Sequence, residues 1–256
     1  MRENGQVVDA DEASFNSKYE KTLASNLAFE IFRPLHADSK RLAVVDYAGA
    51  KPTEVDAKGL LVLATLLADR LKKATSAKRV GIVLPPGIGG VVANLAVVFA
   101  DKVPVNLNFS LGRAAVESSI QRAGIDLLLS AEKVRAKLKD FPWIPGYLDI
   151  GIALEEIRGS KLRLMGRALV LSLPCGLASS LLNIPRKGGD SEAGLLFTSG
   201  SSGMPKGVAL SHRNLLSNCL QIKTIAIIPE GETLLGNLPL FHSFGFTVTL
   251  WFALFA

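Results

Sequence analysis

Residues 194–210 read Gly194-Leu195-Leu196-Phe197-Thr198-Ser199-Gly200-Ser201-Ser202-Gly203-Met204-Pro205-Lys206-Gly207-Val208-Ala209-Leu210. An apolar run enters a Ser/Thr/Gly loop and a second apolar run leaves it, which predicts a strand, a loop and another strand. Gly200, Gly203 and Gly207 let the backbone turn and approach a ligand closely. Thr198, Ser199, Ser201 and Ser202 add hydroxyls, and Lys206 adds a point charge. Backbone N–H groups, hydroxyls and an ammonium group together suit phosphate oxygens. A plain polar hairpin turn has no need of so many donors.

The loop is not a P-loop. That pattern requires Gly-Lys-[Ser/Thr], whereas Lys206 here follows Pro205 and precedes Gly207, and the proline removes a backbone donor. A second glycine cluster, Pro85-Pro86-Gly87-Ile88-Gly89-Gly90, stands between an expected strand and an expected helix. A dinucleotide fingerprint would need a further glycine where Val92 stands. Those glycines are therefore read as a turn and as close helix–strand packing. A nicotinamide-dependent oxidoreductase, which rests on that cluster alone, is the weaker reading.

Upstream, β-branched runs alternate with helical patterns. Strands are expected at 42–46, 79–84, 103–107 and 126–130. Helices are expected over 60–73, 91–100, 114–123 and 132–139. Such alternation predicts an α/β fold with a mostly parallel sheet flanked by helices. The chain divides into an α/β half (1–156), a basic apolar connecting segment (157–190), and the phosphate-loop hairpin with the start of a second half (191–256).

The chain has 256 residues, 48% of them hydrophobic, and is too apolar to be disordered. Its net charge of +6 is local: residues 157–189 hold six basic residues and no acidic one, so the remainder sums to zero. That argues against nucleic acid as a partner. It leaves two readings of the segment, a helix lying on an anionic membrane surface or a core helix with solvated basic ends. Two charge-free windows, 168–185 and 233–256, are interrupted by Pro174 and by Asn237, Pro239 and His242, and are read as buried or interfacial rather than spanning. The N-terminus carries no apolar leader, which predicts a cytoplasmic-side protein, peripheral at a membrane surface if the segment binds lipid. The last residues, Trp251-Phe252-Ala253-Leu254-Phe255-Ala256, lie inside an apolar run, so further protein is expected to follow.

The stretch Phe197–Gly207 resembles the phosphate-binding signature of the adenylate-forming (AMP-binding) superfamily. Leu238-Pro239-Leu240-Phe241-His242-Ser243-Phe244-Gly245 is similar to that superfamily's Pro-x-Phe-His segment, and Leu210–Leu215 matches the region between, with Ser211 placed as a helix N-cap. Arg79–Gly87 and Lys102–Phe109 resemble the acyl-acyl carrier protein synthetase domain of bacterial 2-acylglycerophosphoethanolamine acyltransferases. The resemblance implies a partial N-terminal domain of the adenylate-forming fold, with the C-terminal lid domain absent. It implies an acid-thiol ligase that uses ATP and Mg2+ to turn a fatty acid into an acyl-adenylate. The acyl group then passes to acyl carrier protein, with coenzyme A as the alternative acceptor, in lysophospholipid acylation.

By the same resemblance, Thr198, Ser199, Gly200, Ser201, Ser202, Gly203 and Lys206 hold the phosphates. Ser202 stands near the metal, where the superfamily often has Thr or Glu and therefore a longer reach. His242 and Lys206 are the catalytic candidates. His212 and His36 are expected to be structural or surface residues, and Cys219 a buried helix residue rather than a nucleophile. The superfamily's later signatures have no counterpart before residue 256. The 256-residue piece is thus expected to be inactive alone, and a non-catalytic nucleotide- or membrane-binding domain is the rival reading.

Overall fold

A computed structural model describes residues 7–198, 204–225, 228 and 231–256. Its centre is a four-stranded sheet of β3 (Arg79–Ile82), β4 (Val103–Asn106), β5 (Leu128–Ser130) and β6 (Tyr147–Asp149), in the order β4-β3-β5-β6, with all neighbours parallel. Ahead of it, β1 (Leu42–Asp46) and β2 (Thr53–Asp56) form an antiparallel hairpin. Between and after the strands lie α3 (Ala57–Ala74), α4 (Ile88–Phe99), α5 (Arg113–Ala123), α6 (Glu132–Lys137) and α7 (Ile150–Gly159).

Side-chain alternation sorts the two faces of the sheet. Val80, Ile82, Leu127 and Leu129 point into one core with α3 and α4, whereas Val103, Val105 and Leu128 point into the other with Val116 and Ile120 of α5. Both faces are covered, as parallel sheets require. Helix α3 starts because Asp56 Oδ1 accepts from the Gly59 N–H at 2.7 Å, and it ends on Lys72 and Lys73. Helix α4 is apolar on all sides and is buried almost throughout, as such a helix must be.

Two N-terminal helices, α1 (Val7–Leu23) and α2 (Leu27–Ala37), were not anticipated. Pro34 lies inside α2 and disguises it, since proline usually ends a helix. The basic segment folds as α8 (Lys161–Val170) and α9 (Cys175–Leu181). The window at 233–256 contains a π-helix, Gly245–Phe252, which buries Phe246, Leu250, Trp251 and Phe252. Among the described residues no helix is long and apolar enough to cross a membrane.

The glycine loop sits on an antiparallel hairpin, β7 (Glu192–Thr198) and β8 (Lys206–Ser211), followed by α10 (His212–Ile225). A buried polar knot holds the root of this hairpin. Asn26 donates its backbone N–H to Arg186 O (3.0 Å) and its side-chain Nδ2 to Lys187 O (3.1 Å), while its Oδ1 caps α2 by accepting from Ala28 N–H (2.9 Å). His212 Nδ1 accepts from Leu27 N–H at 3.0 Å. Gly189 N–H donates to Ser25 O, His212 N–H to Ser191 O, and Arg213 N–H to Gly189 O. A Cβ on Gly188 would lie 2.6 Å from Ser25 O and 2.7 Å from the His212 ring, so only glycine fits there without a shift. Ser211 is the N-cap of α10, as expected: its Oγ accepts from Asn214 N–H (3.1 Å) and Asn214 Oδ1 accepts from Ser211 N–H (3.0 Å), a reciprocal capping box.

Two predictions come from the knot. Burial, and after it the Lys78 charge, lower the His212 pKa from 6.5 to about 4. The folded state thus favours the neutral ring, and protonation forfeits the bond from Leu27. Stability is expected to be complete above pH 6.5 and to fall by up to about 3 kcal/mol as pH drops towards 4. Urea titrations of wild type and His212→Gln across that window check this; parallel slopes would clear His212 of the effect. Gly188→Ala should lower stability by about 1–3 kcal/mol, read as a depressed thermal midpoint.

Candidate functional site

The hairpin is fixed at its base and along its length, up to the Thr198–Lys206 pair. At the base, Arg79 grips Glu192 with two parallel bonds, Nε to Oε1 and Nη2 to Oε2, each 3.0 Å, tying the first residue of β7 to the first residue of β3. Along its length, Leu195 and Phe197 pack with Val103 and Val105 of β4. Gly194 leaves room for the Phe246 ring, which a Cβ would meet at 2.8 Å. Towards the tip, Arg122 at the end of α5 donates to Pro205 O at 3.3 Å.

Thr198 and Lys206 are direct cross-strand partners, so their side chains share one face of the hairpin. Both are exposed, and the Thr198 hydroxyl donates to Lys206 O over a long 3.4 Å, a bond that its hydrogen can exchange for another acceptor. A hydroxyl and an ammonium on one exposed face present donors to an anion. Ser199, Gly200, Ser201, Ser202 and Gly203, the remaining candidates, lie outside the described residues.

The Leu238–Gly245 segment is fastened by its neighbours. Leu240 is buried on the N-terminal turn of α4, where a Cβ on Gly90 would come within 3.1 Å of it and 2.7 Å of Pro85 O. Gly90 therefore serves close packing and Gly87, at φ +129°, serves the turn, as the sequence suggested. Phe241 is buried edge-on against Phe109, 5.2 Å between centroids. Phe109 in turn packs on the cluster that holds Phe197. His242 N–H donates to Pro239 O (3.0 Å) and its carbonyl accepts from Phe246 N–H (2.8 Å), which fixes the backbone while the imidazole stays exposed. Phe241, through Phe109, and Phe197, the neighbour of Thr198, thus rest on one apolar cluster. Among the described residues no hydrogen bond joins His242 and the Thr198–Lys206 pair directly.

Three supports escaped sequence reading. Asp46 at the end of β1 accepts from Ile88 N–H at 2.9 Å, supplying from a distance the cap that Gly87 lacks for α4. Asn94 and Asn106 exchange amide hydrogen bonds of 3.2 and 2.8 Å in full burial, locking α4 to the end of β4. Arg122 is the third. Each pairs residues distant in sequence, and no local pattern marks such pairs. The expected structural residues are so placed: His212 in the knot, His36 against Leu173 O at 3.0 Å, and Cys219 buried with its thiol pushed up to about 12 by burial.

A groove of about 790 Å3 lies elsewhere, between the β1–β2 hairpin, α3 and α8. Among the described residues no cluster of three or more His, Cys, Asp or Glu side chains forms a metal site.

Comparison with known proteins fits this geometry. The AMP-binding enzyme family matches residues 36–256. The chain belongs to that family. Among curated AMP-binding relatives, a D-alanine–D-alanyl carrier protein ligase of Streptococcus equi is 36% identical over 104 residues, 39% of this chain and 20% of the relative. Long chain acyl-CoA synthetase 8 of Arabidopsis thaliana is 29% identical over 150 residues, 55% of this chain and 21% of the relative. The chain thus spans about a fifth of the length of these two relatives. The solved structure of a fatty acyl-adenylate ligase from L. pneumophila, in complex with acyl adenylate and pyrophosphate, superimposes with a TM-score of 0.67 at 20% identity, over 90% of this chain and 38% of that one. That likeness establishes the fold: an α/β unit with a parallel sheet flanked by helices, matching part of the N-terminal domain of adenylate-forming proteins.

The buried amide pair yields a prediction. Asn106→Ala should cost about 1–3 kcal/mol by stranding the Asn94 amide, and the double change to Ala should cost less than the sum of the singles. Denaturant midpoints of the four proteins test this; strict additivity would dismiss the pair.

Proposed function

We propose that the protein containing this chain activates a fatty acid with ATP to an acyl-adenylate and passes the acyl group to a carrier thiol. The observation that carries the reading is the exposed Thr198–Lys206 pair, the last paired residues of the hairpin, in a chain of the AMP-binding family. In the first half-reaction a carboxylate oxygen bonds to the α-phosphorus of ATP as the bond to pyrophosphate breaks. In the second, a thiolate sulfur attacks the acyl carbon and AMP leaves.

Charge neutralisation and positioning dominate such phosphoryl chemistry. Lys206 supplies a cation to the departing phosphates and Thr198 a hydroxyl donor. The loop Ser199–Gly203 supplies further donors, with Ser202 beside the metal that would accompany ATP. His242, exposed on a backbone held at both ends, orients the carboxylate against the α-phosphate. Acyl carrier protein as acceptor is supported by the carrier-protein name of the Streptococcus relative, and coenzyme A, the second reading, by the name of the Arabidopsis one. A link to lysophospholipid acylation and a peripheral cytoplasmic position at the inner membrane belong to the same proposal, supported by the basic stretch at 157–189.

Calorimetric titration of ATP should show Lys206→Ala weakening binding about tenfold or more, the loss of one charge-assisted contact. Unaltered affinity removes Lys206 from the site. Carboxylate-dependent ATP–pyrophosphate exchange in the full-length protein, run over a panel of acids, tests the substrate. Exchange with short or amino acids but not fatty acids would overturn the fatty-acid assignment.

A further inference from the structure

Helix α8 is turned inside out relative to a normal surface helix. Its three large apolar residues on one stripe are among the most exposed in the chain: Leu162 at 84%, Met165 at 71% and Leu169 at 69%. Gly166 lies beside them, and a Cβ there would meet nothing within 4 Å, so nothing roofs the stripe. The opposite side faces the body. Leu164 and Ala168 pack on the core, and Arg167, 13% exposed, pairs with Asp69 of α3. At 100° per residue the outward set spans one continuous face, with Lys161 and Arg163 on its two flanks. Both are exposed, as is Arg158 just before the helix.

The charges around the stripe favour one class of occupant. Of the acids near α8, Asp69 pairs with Arg167 and Glu156 with Arg70, whereas Glu155 of α7 and, across the groove that Arg158 also lines, Glu54 and Asp56 of the β1–β2 hairpin make no salt bridge among the described residues. Lys161, Arg163 and Arg158 make no salt bridge among the described residues. An apolar stripe about 10 Å long, bordered by cations, matches a surface that is apolar beneath and anionic above. A protein groove would need acids placed on both rims; a lipid interface offers them everywhere.

We infer that α8 is an interfacial anchor, seating Leu162, Met165 and Leu169 among the acyl chains of an anionic lipid surface while Arg158, Lys161 and Arg163 meet the headgroup phosphates. The inference rests on the peripheral-membrane part of the reading above and names the element that carries it. It does not depend on adenylation, because its readout is binding. It also corrects one alternative for 157–189: α8 is not a core helix.

The test is co-sedimentation of the 256-residue chain with mixed phosphatidylglycerol–phosphatidylcholine vesicles and with pure phosphatidylcholine vesicles. Wild type should bind the anionic vesicles and release them as salt rises. Leu162→Gln/Met165→Gln/Leu169→Gln should bind at least tenfold more weakly with an unchanged thermal midpoint, since these side chains lie outside the core. Arg158→Gln/Lys161→Gln/Arg163→Gln, an independent variant, should lose the preference for phosphatidylglycerol. Full binding by the first variant overturns the role of α8 while leaving the membrane reading intact. Absence of wild-type binding to either vesicle overturns both. Sedimentation velocity showing a dimer that the first variant dissolves would assign the stripe to a second copy of the chain, and would also overturn the inference.

Discussion

The contact on which the rest depends is the knot of Asn26, Gly188 and His212. It is polar, buried and made by three segments far apart in sequence. A buried amide or imidazole without partners would destabilise the fold, so these groups hold their segments together by the penalty for separation as much as by attraction. The knot settles where β7 begins and where α10 begins. Together with the Arg79–Glu192 pair it fixes the strands that carry Thr198 and Lys206.

Much of the fold was legible because its signals are local. The strands at 79–82 and 103–106 show as β-branched runs, and α3 and α4 show as leucine and valine stripes. Ser211 was readable as a cap because a cap is a spacing of three residues. Helix α2 was not, since Pro34 contradicts the usual rule within it. The candidate site divided the same way. Thr198 and Lys206 stand in one contiguous motif, whereas Asp46, Arg122 and the Asn94–Asn106 pair act across gaps of 12 to 83 residues. Their partners are chosen by topology, which composition and spacing do not encode.

Among the described residues the two motifs meet on a shared apolar cluster rather than through hydrogen bonds. Phe197 ends the packed part of β7, Phe109 follows β4, and Phe241 precedes His242. Aromatic edge-to-face contact fixes distance and tilt without using up polar groups. That leaves the hydroxyl, ammonium and imidazole with donor and acceptor capacity for a ligand. The buried side of the site therefore sets geometry and the exposed side keeps the chemistry.

The backbone of His242 is secured by Pro239 and Phe246 while its ring touches little beyond Phe241. Replacing the ring asks almost nothing of folding, so this position can change side chain without crossing a stability threshold. Leu240, buried beside Gly90, and Gly245, where a Cβ would lie 2.3 Å from Pro239 O, lack that freedom. The chemistry proposed for His242 thus falls at a position that the fold constrains little.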